Sequence, residues 1–165
     1  MRPFWISFVL LAATVSAAFA QEDPSAFQRA LRAPMIDGVA LAGLPLGATE
    51  GAAIGMLGQP ASIVGSALAD RALRYQLADA VVLDVHVGAG AVRAISVSIP
   101  EVEAAGLLSP TSRGVAIGMA TSVVTERYGA SQDFWYSTEG VAFNSDGPND
   151  EVRSVIVFTR GMPRP

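Results

Sequence analysis

The sequence predicts an α+β fold: an antiparallel sheet covered on one face by helices, assembled from two tandem copies of a helix followed by a three-stranded meander. Three observations carry this expectation. A chain of 165 residues without a cysteine is long enough for one domain, or two small repeats sharing a core, to be stable without disulfide staples. Glycines recur in series, Gly43, Gly47 and Gly58 matching Gly114, Gly118 and Gly129 at a single offset of 71 positions, as an internal repeat requires. Apolar and polar residues then alternate in short runs bounded by turn residues, the period-two signature of half-buried strands.

The elements follow in order. In segment 1–20, Arg2 precedes an apolar run over 4–15 and small residues ending in Ala18-Phe19-Ala20. This pattern reads as a secretory signal peptide cut between Ala20 and Gln21. The run barely reaches the length needed to span a bilayer, and without cysteine there is no lipobox for a lipid anchor, so the expected product is periplasmic or secreted, with no stable membrane anchor after cleavage. Segment 21–42 is a lead-in, where Ser25-Ala26-Phe27-Gln28 resembles a capping box opening a short helix that stops before Pro34. Segment 43–100 is the first repeat: Thr49 caps a helix striped by Ala52, Ala53, Met56 and Leu57, Gly58 and Pro60 end it, and strands follow over 72–76, 81–87 and 91–99. Segment 101–113 is a connector. Segment 114–165 holds the second repeat and tail, with Thr121 or Ser122 as cap, Val123, Val124 and Tyr128 as stripe, Gly129 as stop, and strands over 133–136, 140–144 and 151–158. Gly58 to Tyr75 spans 17 positions but Gly129 to Tyr136 only 7, so the first repeat carries extra chain over 60–71, where Ala61, Ile63, Val64 and Leu68 suit a short helical turn.

Alternation assigns the faces. Val81, Leu83, Val85 and Val87 point one way with Ile95, Val97 and Ile99, and Val141, Phe143, Val155 and Val157 continue this side as the core beneath the helices. The opposite side carries Val82, Asp84, His86, Ala94, Ser96 and Ser98 in the first repeat. In the second it carries Ala142, Asn144, Ser154, Ile156 and Phe158, joined by Trp135. The outer face is thus polar at one end and apolar at the other.

The order Gly-x-x-x-Gly, a helix ending in Gly, and a meander opened by an aromatic is seen best in Ile117-Gly118-Met119 through Tyr128-Gly129 and Phe134-Trp135-Tyr136. It resembles the small α/β envelope domains of the β-lactamase inhibitory protein and SmpA/OmlA lipoprotein type, in two copies over 43–160. That resemblance implies a non-enzymatic domain presenting a sheet face to a protein partner. The lipid-bearing cysteine of the lipoproteins is missing here.

Little in the chain suggests chemistry. All basic residues are arginine, which removes lysine-based covalent catalysis, and a formal net charge of −4 with scattered arginines excludes the basic stripe that nucleic acid needs. One histidine and no cysteine leave no transition-metal cluster, and the acidic stretch 144–151 lacks the spacing of a calcium loop. No cofactor is expected. His86 and Asp84 share a strand face, so a small secreted hydrolase using that pair is one alternative. A structural homodimer through the apolar face is another. The favoured expectation is a non-enzymatic module that binds another envelope or secreted protein through Trp135, Ile156 and Phe158, with Asp84 and His86 on the same face.

Overall fold

The computed structural model describes residues 24–77, 81–99, 108–129, 140–145 and 151–162. Within them the chain runs α1 (Pro24–Leu31), β1 (Ala40–Leu41), β2 (Leu44–Pro45), α2 (Glu50–Leu57), β3 (Ser62–Val64), β4 (Arg71–Leu77), β5 (Val81–Gly88), β6 (Ala91–Ser98), α3 (Thr121–Tyr128), β7 (Val141–Asn144) and β8 (Ser154–Phe158). The last six strands form one antiparallel sheet in the order β3-β4-β5-β6-β8-β7, and β1 and β2 make a separate small hairpin.

The meander of β4, β5 and β6 follows from its sequence. Alternate residues Val81, Leu83, Val85 and Val87 are buried against the helices, and a two-residue turn, Ala89-Gly90, closes the β5–β6 hairpin with both residues at positive φ (52° and 76°), the backbone that matches strand twist. In β6 the alternation breaks. His86 pairs with Ala94 but Val87 with Val92, so Arg93 is an extra residue in a β-bulge. The bulge is what lets Val92 and Ile95, three positions apart, both face the core.

The sheet is continuous between the two halves of the chain. Ile95 pairs with Val157 and Val97 with Val155, and the core on this side gathers Leu31, Leu41 and Leu44, Leu57 of α2, Val124 of α3 and Phe143 of β7 into one cluster. The two helices enter by the same corner. Gly47 N–H donates to Val92 O at 2.8 Å and Val92 N–H to Ala48 O at 2.8 Å, while Gly118 N–H donates to Val152 O and Val152 N–H to Met119 O, again at 2.8 Å. Gly47 and Gly118 sit at φ 82° and 88°, where a side chain would be strained. Thr49 Oγ1 then caps α2 by accepting from Ala52 N–H at 3.2 Å. Gly58 and Gly129 end the helices at φ 90°, their N–H groups returning to Ile54 O and Thr125 O.

Four expectations need correction. The extra chain over 60–71 holds no helical turn among its residues: Ser62–Val64 is an edge strand pairing with β4, as the β-branched Ile63 and Val64 favour. The buried stripe of α2 is Ala53 and Leu57 alone, since Met56 is exposed. Ala120, not Thr121 or Ser122, occupies the N-cap of α3, and no side chain bonds the helix start there. Ile156 lies on the outer sheet face but is only 8% exposed, packed in a second cluster with Ala94 and Ala142. The expected strand over 133–136, with Trp135, and the segment 1–20, with the Ala20 to Gln21 cut, lie outside the described residues.

Candidate functional site

The outer sheet face is the candidate. At its polar end Arg74 and Asp84 are cross-strand partners, and the guanidinium grips the carboxylate with two bonds, Nε to Oδ1 and Nη2 to Oδ2, both 2.8 Å. The Asp84 partner pushes Arg74 up from its already high ordinary value. Next along the face is His86, flanked by Ala72 on β4 and Ala94 on β6. Between these small neighbours His86 is 8% exposed.

Both imidazole nitrogens are occupied. Nδ1 is 2.8 Å from Ser66 Oγ and Nε2 is 3.0 Å from Ser96 Oγ. The hydrogen-bond count fixes the tautomer. Ser66 Oγ already accepts from Leu68 N–H and Ala69 N–H, each at 3.0 Å, and a hydroxyl has two acceptor sites and one proton. Its proton therefore goes to Nδ1, which must be the bare nitrogen, and Nε2–H donates to Ser96. Burial lowers the His86 pKa below the ordinary histidine value, Asp84 opposing the shift and Arg74 adding to it, which favours the neutral ring that the hydrogen bonds require.

The pairing expected of a hydrolase does not form. Asp84 is turned to Arg74, while His86 is oriented by two serines. Ser66, the hydroxyl beside the bare nitrogen, has its lone pairs filled by backbone donors and lacks the free acceptor sites of an attacking oxygen. The arrangement is a polar clasp fastening the loop 65–70 to the sheet. Asp70 adds to it by accepting from Ala89 N–H at 2.9 Å. Leu68 of the loop packs on the cluster of Ala94, Ala142 and Ile156, with Phe158 partly buried at the same cluster. Asp84 and His86 thus share the face with Ile156 and Phe158, with Ser96 between them in register: it pairs with Asp84 on one side and Ile156 on the other.

A second polar cluster, on the core side, escaped the sequence reading. Asp37 is 7% exposed; its Oδ2 accepts from Ser112 Oγ at 2.8 Å and lies 2.8 Å from Tyr128 Oη, which is also 2.8 Å from Thr111 Oγ1. A carboxylate can only accept, so the phenol proton goes to Asp37 and the Thr111 hydroxyl donates to the phenol. Burial pushes the Tyr128 pKa up to about 12; the Thr111 bond opposes this, the Asp37 bond and charge support it, and Arg113 pulls it back. The Arg113 guanidinium sits 4.9 Å from the ring centroid and donates to Arg127 O at 2.9 Å. Asp37 and Tyr128 are 91 positions apart, so no local pattern signals the pair. Among the described residues no three potential metal ligands gather, and no helix is long and apolar enough to cross a membrane.

No protein-family model matches the chain, and no curated protein matches it. Solved structures do. A cysteine-rich secretory protein from Staphylococcus aureus aligns over 78% of this chain and 51% of its own, with TM-score 0.52 and 9% identity. An extracellular protein containing an SCP domain from Bacillus anthracis aligns over 70% of this chain and 44% of its own, with TM-score 0.49 and 13% identity. The chain therefore matches about half the length of each. The Staphylococcus aureus likeness corrects the expected resemblance to the β-lactamase inhibitory protein and SmpA/OmlA lipoproteins: the fold found is shared with part of a secretory protein of a different description.

Proposed function

We propose that this chain is a secreted, non-catalytic binding module that engages another envelope or secreted protein through the sheet face opposite its helices. The observation that carries this reading is the apolar cluster on that face. Helices cover the other side, yet Ala94, Ala142 and Ile156 form a separate buried group on which Leu68 and Phe158 pack while staying partly exposed, and exposed apolar side chains gathered on one face often mark interaction sites. Ile156 supports the platform from below, and Phe158 is the large side chain placed to touch a partner, with Trp135 as its expected companion. The non-catalytic part of the reading draws on the occupied imidazole of His86 and the carboxylate of Asp84 held by Arg74. Export rests on the signal-like segment ending at Ala20, in keeping with the secretory description of the Staphylococcus aureus structure. Descent from two tandem copies is supported by the corner bonds shared by Gly47 and Gly118.

The test uses the chain from Gln21 onward as bait in an envelope extract, with Phe158→Ser as comparison. A partner captured by the parent and lost by the variant, at a melting temperature changed by no more than a few degrees, is the expected result. Capture that survives the substitution moves the binding site elsewhere. Esterase or peptidase activity abolished by replacing His86 establishes the hydrolase alternative instead.

A further inference from the structure

The clasp on the outer face has a property that simple packing does not need. Its strength depends on one nitrogen being unprotonated. Ser66 Oγ spends its proton on His86 Nδ1 and both acceptor sites on Leu68 N–H and Ala69 N–H. An imidazolium is a donor at both nitrogens. Protonation would then set a new Nδ1–H against a hydroxyl proton, with no acceptor site left on that oxygen. Relief requires Ser66 to give up one of its two backbone bonds or the ring to leave it, and either change loosens the loop 65–70.

Among the described residues, the charged groups around the ring are already engaged. On β5 the nearby charge is Asp84, already gripped by Arg74 of β4. On β6 it is Arg93, whose Nε donates to Gly88 O. The loop itself carries Asp70, engaged with Ala89 N–H, and Arg71 beyond it pairs with Glu50. The outer positions of β8, which are Ser154, Ile156 and Phe158, bear no charge.

We propose that His86 is a pH-operated latch: neutral, it holds the loop 65–70 across the apolar cluster of Ala94, Ala142 and Ile156, and on protonation it releases the loop and uncovers that cluster beside Phe158. The latch is a property of the loop and ring alone; only its use, exposing a docking surface in acid, rests on the function proposed above. Burial lowers the ring's pKa, which places release below the ordinary titration range of histidine.

His86 is the only histidine in the chain, so its imidazole nitrogen resonances report tautomer and charge without ambiguity. The experiment follows them by NMR from about pH 7.5 to about pH 5, a window above ordinary carboxylate titration, while hydrogen exchange reads the Leu68 and Ala69 amides relative to Val85 and Val97. The ratio removes most of the intrinsic pH dependence of exchange. The expected result is an Nε2–H tautomer at neutral pH and a loss of relative protection at Leu68 and Ala69 of about tenfold or more that tracks the ring's protonation. In Ser66→Ala the ring still titrates, but the two amides are poorly protected at every pH and show no step. In His86→Gln the step is absent. A ring that titrates while the two amides keep their relative protection overturns the latch, and so does a step that persists in His86→Gln, or a ring that stays neutral throughout. Partner capture that fails at every pH, with the step intact, sinks the proposed function and leaves the latch standing.

Discussion

Tyr128 shows how much one side chain can hold. Its hydroxyl joins Asp37 from the lead-in segment to Thr111 from the stretch before α3, and its ring stacks at a tilt on Phe143, centroids 5.1 Å apart. Tyr128→Phe keeps the ring and removes the bonds. Asp37 Oδ2 would then retain Ser112 alone, beside an Oδ1 that is buried without a partner among the described residues, so urea unfolding should show a loss of about 1–3 kcal/mol. An unchanged midpoint and slope would mean that the carboxylate does not depend on the phenol. The same group sets an alkaline limit. Its folded pKa, about 12, stands above the unfolded value near 10, so the folded state holds the proton longer. This contribution is complete below about pH 10 and is lost as pH rises from there toward about 12. Base titration should therefore unfold the parent more steeply across that window than Tyr128→Phe, and identical slopes would contradict the assignment.

Helices α2 and α3 start from the same corner but differ in their caps. Thr49 Oγ1 accepts from Ala52 N–H, whereas Ala120, at the matching position 71 residues on, has no side-chain acceptor. Ala120→Thr should therefore raise stability by roughly 0.5–1 kcal/mol, read as a higher denaturant midpoint with unchanged slope; no gain would mean that the corner around Ala120 is too tight for a hydroxyl. Much of this architecture was legible in the sequence, because it is written locally. The alternation of Val81 to Val87 marks β5, Gly58 and Gly129 mark helix ends, and Gly88-Ala89-Gly90 marks a hairpin. The exceptions have physical causes. The edge strand Ser62–Val64 is short and bounded by Pro60 and Gly65, so its two β-branched residues read with Ala61 and Leu68 as a short helical turn until β4 is present to pair with them. The bulge at Arg93 is invisible as a break in period unless the partner register is known. The clasp joins Ser66 to His86 across 20 positions, and the burial of Ile156 depends on that same loop, so the residues Ile156, Phe158, Asp84 and His86 could be placed on one face but not distinguished as support, rim and latch.

At the scale of the whole molecule, the seam between the halves decides whether either can stand alone. Along β6 and β8 five residue pairs meet, from Ala94 and Phe158 to Ser98 and Ser154, and on the helix side one cluster draws Val97, Ile99, Val152 and Val155 together with residues of both helices. Cutting there would expose two long strand edges and the middle of the core at once. A piece of well under 100 residues buries too small a share of its surface to absorb such a loss, and an open apolar edge invites association. The chain from Gln21 onward should accordingly unfold in a single transition, with calorimetric and van't Hoff enthalpies in agreement. A fragment ending at Ile99 and one beginning at Leu108, each made separately, should lack a cooperative transition. Two resolved transitions in the intact chain, or a fragment that melts cooperatively as a monomer, would show that the seam between β6 and β8 joins two independent folds rather than completing one.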